Sequence, residues 1–360
     1  RKRAKKDMAA AKAAGDDWAA AMFNGKQNAY KITMNSVYGF LGATKGMLPC
    51  VPIAASVTAT GRAMIQQTKH LAETLVPGSR VIYGDTDSVM VIFDVGDDKR
   101  HDMHAHFEVA ARVAAQISAT FKAPNELEFE KCYYPYLLFS KKRYAGLMYT
   151  KPEAPDYIDT KGIQLVRRDS CPLVKEVSQA VLDAIMHRKD TQAALQAARE
   201  HVAAVLAGRH AIDKFVVSKA LRGDYKNDKQ PHLYVAKKLA RRRGHAVPSG
   251  TRVPYVFVED MDDPECLQAE RAEDPAYARD HDLPLDLLYY VEHQLASPVC
   301  ALLDVLVDDA ETEVFGHDSV KPLLDALRER RAVAVKRCRR LRKNAAARQP
   351  EITSFFKPLV

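Results

Sequence analysis

The segment VIYGDTDSVMVIF, residues 81–93, sets two aspartates, Asp85 and Asp87, inside a run of β-branched and apolar residues. In an extended chain residues i and i+2 point to one face, so the two carboxylates fall side by side. Like charges that close repel, and a divalent cation is the usual means of neutralising them. The same letters, Tyr-Gly-Asp-Thr-Asp-Ser, are turn-rich, and a β-hairpin turn is the plainer explanation. Both readings hold together if a hairpin tip presents the carboxylates to Mg2+, a hard cation that prefers oxygen ligands and retains water.

Four further clusters carry types that could do chemistry. Lys31, Asn35 and Tyr38 fall at i, i+4 and i+7, one face of a helix. A cation, an amide and a phenol on that stripe suit a nucleotide, with lysine on a phosphate, asparagine donating to it and tyrosine stacking; a solvated face could also contain them. Arg1 and Lys5 repeat the spacing on a preceding helix, and two basic faces could cradle a triphosphate. From spacing alone an exposed charge run is the preferred reading of residues 1–6. SKKRYAG, residues 140–146, places Lys141, Lys142 and Arg143 beside Tyr144 after an apolar strand, a mix suited to a nucleic-acid backbone, though solvated strand ends look similar. Upstream, ELEFEK spaces Glu126, Glu128 and Glu130 for one strand face, either solvent-facing or auxiliary to the metal site.

These clusters must be positioned by a chain of 360 residues, long enough for two or three compact units. A net charge of +8 favours an anionic partner, nucleic acid first. Cys50, Cys132, Cys171, Cys266, Cys300 and Cys338 are scattered without a CxxC pair, which argues against a zinc site or a disulfide framework and for reduced thiols. No apolar run is long enough to span a bilayer, and the basic start lacks a signal-peptide core; a protein that is not secreted and has no membrane partner, in the nucleus or cytoplasm, is expected. The chain opens without Met in what reads as a basic helix, as a fragment would.

Along the chain, residues 1–23 have helical character, Gly25 is expected to break the run, and a second helix covers 26–42. Helices are expected over 54–75 and 102–121, a β-rich stretch over 126–165, and helices again from Pro172 to about Leu206. A short strand at 253–258, an amphipathic helix at 286–306 and another at 319–343 follow. The last twelve residues, with Pro350 and Pro358, read as a tail.

YGDTDS (83–88), KITMNSVYG (31–39) and KKRY (141–144), in this order along the chain, resemble the family B DNA polymerases. RKRAKKD, NSVYGFLGA, LPC, KKRYAGL and VRRDSCPLV are similar to segments of the eukaryotic delta-type catalytic subunits and their large-DNA-virus relatives, from residue 1 to roughly 305. The resemblance implies an α+β chain with fingers helices at 1–42, an antiparallel-sheet palm at 43–165, a helical thumb at 166–320 and a basic helix and tail at 321–360. It implies that Asp87 ligates two catalytic Mg2+ ions with Asp85 as auxiliary and Glu130 nearby. Lys31 and Asn35 would face the incoming dNTP triphosphate together with Arg1 and Lys5, while Tyr38 packs under the nascent base pair. Lys142, Arg143 and Tyr144, with Lys141, would follow the primer-template duplex.

Two departures stand beside the likeness. The family's other essential Asp, in a DxxSLYPS pattern, and its exonuclease domain have no counterpart here. The chain is therefore expected to need an N-terminal polymerase segment for activity. Paired C-terminal cysteine clusters of the cellular enzymes are also missing, and Gln349, Ile352, Phe355 and Phe356 instead fit Q-x-x-I-x-x-F-F, which looks like a peptide for the sliding clamp (PCNA). That pattern could alternatively pack on the chain itself; together with the lost cysteines it favours a viral replication enzyme. The basic run 328–343 adds DNA contact, serves nuclear import, or is a solvated helix. A non-catalytic DNA-binding and clamp-tethering module is the alternative function, and a nuclease built on Asp85 and Asp87 is weaker for want of further acidic ligands.

Overall fold

The computed structural model describes residues 1–163 and 170–348. The chain divides into two compact units, Arg1–Glu130 and Lys131–Val360. The first unit begins with helices α1 (Lys2–Ala13), α2 (Asp17–Gly42) and α3 (Val51–Leu75). Strands β1 (Arg80–Asp85) and β2 (Ser88–Ile92) form an antiparallel hairpin, and α4 (Met103–Ser118) follows.

The break expected at Gly25 lies elsewhere. Gly15, at φ +72°, ends α1, and Asp16 starts α2 by accepting from the Ala19 amide at 2.9 Å. Helix α2 then runs unbroken through Gly25 to Gly42, because one interior glycine costs only about 1 kcal/mol. Ala4 and Ala11, seven residues apart on α1, and Ala20 and Gln27, seven apart on α2, are the buried residues of these helices. The core of the unit is small: Ala72 of α3 with Val113 and Ile117 of α4, flanked by Val81 and Val91 of the hairpin. Glu126, Glu128 and Glu130 do not share a strand face, since residues 125–131 form no strand; Glu126 instead pairs with Lys2.

In the second unit β3 (Cys132–Ser140), β4 (Arg143–Tyr149) and β5 (Tyr157–Lys161) make an antiparallel sheet in that order. Helices α5 (Pro172–Asp183) and α6 (Thr191–Leu206) follow, with a π-helical turn at 184–188 between them. Strand β6 (Val217–Ala220), helix α7 (Pro231–Arg243) and strands β7 (Arg252–Phe257) and β8 (Ala272–Glu273) come next, and β6-β7-β8 forms the third sheet. Short helices α8 (Pro275–Asp280) and α9 (Leu287–Tyr289) lead through a π-helical turn at 290–295 into α10 (Ala296–Leu303), then α11 (Ala310–Phe315) and the long α12 (Lys321–Arg348).

Helix α5 shows why this unit has the larger core. Leu173, Val174, Val177 and Val181 recur on one stripe and every one is fully buried. Tyr290, also fully buried, ties the helices to the sheet: its hydroxyl donates to the Phe215 carbonyl and accepts from the Phe257 amide, both at 2.9 Å. All six cysteines are free thiols. Among the described residues no helix is long and apolar enough to cross a membrane.

The β3-β4-β5 sheet is held by a buried acid that the sequence reading did not single out. Asp159 of β5 accepts from the Tyr133 hydroxyl at 2.6 Å and pairs with Lys131 at 3.4 Å and with Lys161. Burial alone raises a carboxyl's pKa, but here the hydrogen bonds from Lys161 and Tyr133 and the charges of Lys161 and Lys131 outweigh it and hold Asp159 below the usual range. Burial first, and the bond to Asp159 second, push the Tyr133 phenol far up. Gly146 makes room for this arrangement, since a Cβ there would come within 2.7 Å of the Tyr133 ring.

Two outcomes follow from this packing. Tyr290→Phe keeps the ring but strands the Phe257 N–H in the core, so it is expected to cost about 1–3 kcal/mol in urea unfolding. Asp159 has a depressed folded pKa, so its stabilisation is present above about pH 4 and fades as pH falls through that lower value. Asp159→Asn is therefore expected to lower the melting temperature at pH 7, and the gap to the unmodified chain should narrow on acidification below pH 4.

Candidate nucleotide and metal site

Asp85 closes β1 opposite Ser88 of β2, leaving Thr86 and Asp87 as the entire turn. The Asp87 amide donates to the Asp85 carbonyl at 2.6 Å across Thr86, which sits at φ +54°. A three-residue turn with a positive φ at its centre is rare and strained, and a β-branched residue suits it poorly. The Thr86 hydroxyl donates to Asp85 Oδ1 at 3.1 Å, and Ser88 Oγ donates to the Asp85 carbonyl at 3.2 Å. Asp85 is half-buried and Asp87 exposed. The hairpin expected here is thus present, but the i,i+2 pleat is not what joins the carboxylates: Asp87 belongs to the turn, and the turn itself makes the two aspartates neighbours.

Two hard-oxygen side chains at an exposed tip fit Mg2+, which takes one or two protein carboxylates and fills its shell with water and phosphate oxygens. They do not fit a closed protein cage. Among the described residues no three His, Cys, Asp or Glu side chains are grouped to hold a metal, so Glu130 does not join Asp85 and Asp87 in such a group.

Lys31, Asn35 and Tyr38 all lie on α2 and are exposed, as is every residue from 31 to 40. Arg1 reaches the same helix: its Nε donates to Gln27 Oε1 at 3.3 Å, one turn before Lys31. Gln27 is buried and is itself fixed by its amide, which donates to Asn24 at 3.0 Å and to Asn28 at 2.8 Å. Lys5, whose amide bonds the Arg1 carbonyl at 3.0 Å, projects from the next turn of α1. The α1–α2 pair therefore brings Arg1 to α2 one turn before Lys31, through a glutamine that spacing arguments did not pick out. Its signal was a long polar side chain at a buried heptad position opposite the alanines of α1.

In the second unit Lys141 and Lys142 are the two-residue turn between Ser140 and Arg143, with Lys142 at φ +62°. Lys141, Lys142 and Arg143 are exposed, so three cations crowd one hairpin end. Tyr144 is half-buried in a ring cluster, 5.5 Å from Tyr136 and 6.1 Å from Tyr133 between centroids, and Asp159 lies behind Tyr133. The exposed cations therefore adjoin a packed aromatic cluster. Gln349, Ile352, Phe355 and Phe356 lie outside the described residues, as do residues 164–169 of the VRRDSCPLV segment.

Comparison with known proteins follows the same geography. The sequence profile of DNA polymerase family B matches residues 1–306. A DNA polymerase of Paramecium bursaria Chlorella virus NY2A is 50% identical over 357 residues, 99% of this chain and 39% of that protein. The DNA polymerase delta catalytic subunit of Caenorhabditis elegans is 41% identical over 327 residues, 87% of this chain and 29% of that protein. Among solved structures, the family B DNA polymerase of the archaeon Pyrobaculum calidifontis superposes with a TM-score of 0.56 at 28% identity, covering 85% of this chain and 38% of that one. The chain thus spans well under half the length of the relatives it matches. With the profile covering most of its residues and the hairpin, helix stripe and basic turn in family order, the chain belongs to DNA polymerase family B.

Proposed function

We propose that these residues are the fingers, palm and thumb portion of a DNA-directed DNA polymerase that extends a primer 3′-hydroxyl on a template using dNTPs. The observation that carries the reading is the strained Asp85-Thr86-Asp87 tip, which sets two carboxylates at the end of a β-hairpin, with Asp87 exposed. Two Mg2+ ions, when bound, would activate the primer hydroxyl and stabilise the pyrophosphate leaving group. Asp87, the more exposed carboxylate, would ligate them, and Asp85 would assist. Lys31 and Asn35, with Arg1 and Lys5, would hold the triphosphate and offset the charge that develops during transfer, while Tyr38 packs under the new base pair. Lys141, Lys142, Arg143 and Tyr144 would track the primer-template duplex.

Apolar exposure in the first unit supports a site completed by more polypeptide. Ile32 (67% exposed), Met34 (63%), Met47 (88%) and Leu48 (70%) stand open on and after the same helix as Lys31. Large apolar side chains left this open mark contact with further polypeptide. An N-terminal polymerase segment, supplying a further acidic ligand, would cover such residues and agrees with the length of the relatives. Likeness to a chlorella virus enzyme supports viral genome replication, and residues 349–356 support tethering to a sliding clamp.

Primer extension is measured for the chain alone and mixed with an N-terminal polymerase segment carrying the family's other Asp motif. Extension is expected only in the mixture. Asp87→Ala is expected to lower its rate by about 10³-fold or more, and Lys31→Ala by about 10²-fold. Absence of extension in the mixture, with DNA and clamp binding intact, would favour a non-catalytic tethering module.

A further inference from the structure

Helix α12 lies beyond the residues matched by the family profile, and its charges are sorted by face. One face packs on the second unit through Leu324, Ala334 and Cys338, all buried. Arginines bordering that face are neutralised by acids of the same unit. Arg328 pairs with Glu292 at 2.8 Å, Arg331 with the buried Asp286 at 3.4 Å, Arg339 with Glu265 at 2.6 Å and Arg342 with Asp263 at 2.6 Å; Arg330 pairs with Glu259. Three of these five acids, Glu259, Asp263 and Glu265, come from one loop after β7.

Lys336, Arg337, Arg340 and Lys343 are different. At 3.6 residues per turn they cluster on the side roughly opposite Arg331, Cys338 and Arg342. All four are exposed and make no ion pair among the described residues. Glu329 is exposed on the same side but lies about two turns before Lys336, so the stripe from 336 to 343 is purely cationic. A helix that merely needed solubility would not require an acidic loop to cancel one set of arginines while leaving the opposite set bare. The ion pairs fix the orientation of α12, and the orientation presents the unpaired stripe to solvent as a fixed row with the spacing of two helical turns.

We infer that the Lys336–Lys343 stripe of α12 is a sequence-independent binding site for the phosphate backbone of duplex DNA, a second hold on DNA in addition to the basic hairpin at Lys141–Arg143. This rests on the reading that the chain works on duplex DNA. The occupant is set by charge: four unpaired cations within two turns match a row of phosphates, and each phosphate neutralised releases condensed counterions. The absence of an aromatic or an amide among the four fits backbone contact rather than base readout.

The test measures affinity of the full chain for a blunt DNA duplex across a salt series. Removing the stripe with Lys336→Gln, Arg337→Gln, Arg340→Gln and Lys343→Gln together is expected to lower the slope of log affinity against log salt by about 3 to 4. A charge-keeping variant, with Lys and Arg exchanged at the four positions, should retain the slope. A control that removes four exposed cations elsewhere, Lys99→Gln, Lys122→Gln, Lys151→Gln and Arg209→Gln, should change it by clearly less. An unchanged slope in the stripe variant, as expected if the stripe serves an acidic import receptor, or an equal fall in the control, would overturn the inference. Duplex binding with no primer extension contradicts only the polymerase reading, whereas no duplex binding by the unmodified chain contradicts both.

Discussion

The account depends on one local constraint: two carboxylates sit at one hairpin tip, Asp85 at the end of its strand and Asp87 in the two-residue turn. Antiparallel pairing of Asp85 with Ser88 leaves Thr86 and Asp87 to reverse the chain, and Thr86 takes a positive φ that a β-branched residue adopts only under strain. Such strain is of order 1–3 kcal/mol, and the repulsion of two neighbouring acids adds to it. Glycine at Thr86 and a neutral residue at either aspartate would relieve both. A cation that bridges the carboxylates turns the repulsion into attraction, which gives a physical reason for a sequence to keep them.

The rest of the first unit reads as support for that tip and for the face that would meet its ligand. The hairpin is anchored by Val81 and Val91 to the small core of α3 and α4, so the tip is borne on packed strands although the unit buries little. Helix α2 buries only Ala20 and Gln27, and most of the remainder of its length is exposed. The second unit is built the other way, with a continuous apolar core and a buried tyrosine bridging helix and sheet, and its basic hairpin adjoins a cluster of tilted and edge-on tyrosines backed by Asp159. Each unit therefore holds cations or carboxylates at the end of a β-hairpin, where a short turn rather than a long loop sets their position.

Much of this was legible in the letters. The apolar residues flanking YGDTDS demanded a strand pair, and turn-formers in the middle located its tip. The stripe Lys31, Asn35, Tyr38 needed only helical periodicity. What was not legible depended on contacts distant in sequence or on small energies. Gly25 looked like a helix end because its propensity cost is real, but Gly15, one residue before an Asp cap, supplied the better stop. ELEFEK alternates like a strand, yet no neighbouring strand pairs with it among the described residues, and Glu126 is engaged by Lys2 instead. Asp159 carried little local signal, since its partners Tyr133 and Lys131 lie in and just before β3, far from it in sequence, and only Lys161 is on its own strand. The acidic loop at 259–265 likewise gained meaning only once α12 was seen lying against it.

The most direct measurement is paramagnetic broadening of amide resonances by Mn2+, used as a stand-in for Mg2+, in the full chain with a dNTP present. The account predicts broadening centred on residues 84–88, extending toward α2 near Lys31, and lost in Asp87→Asn. Broadening centred elsewhere, or left unchanged by Asp87→Asn, would contradict the assignment of the hairpin tip as the metal-binding part of the polymerase site.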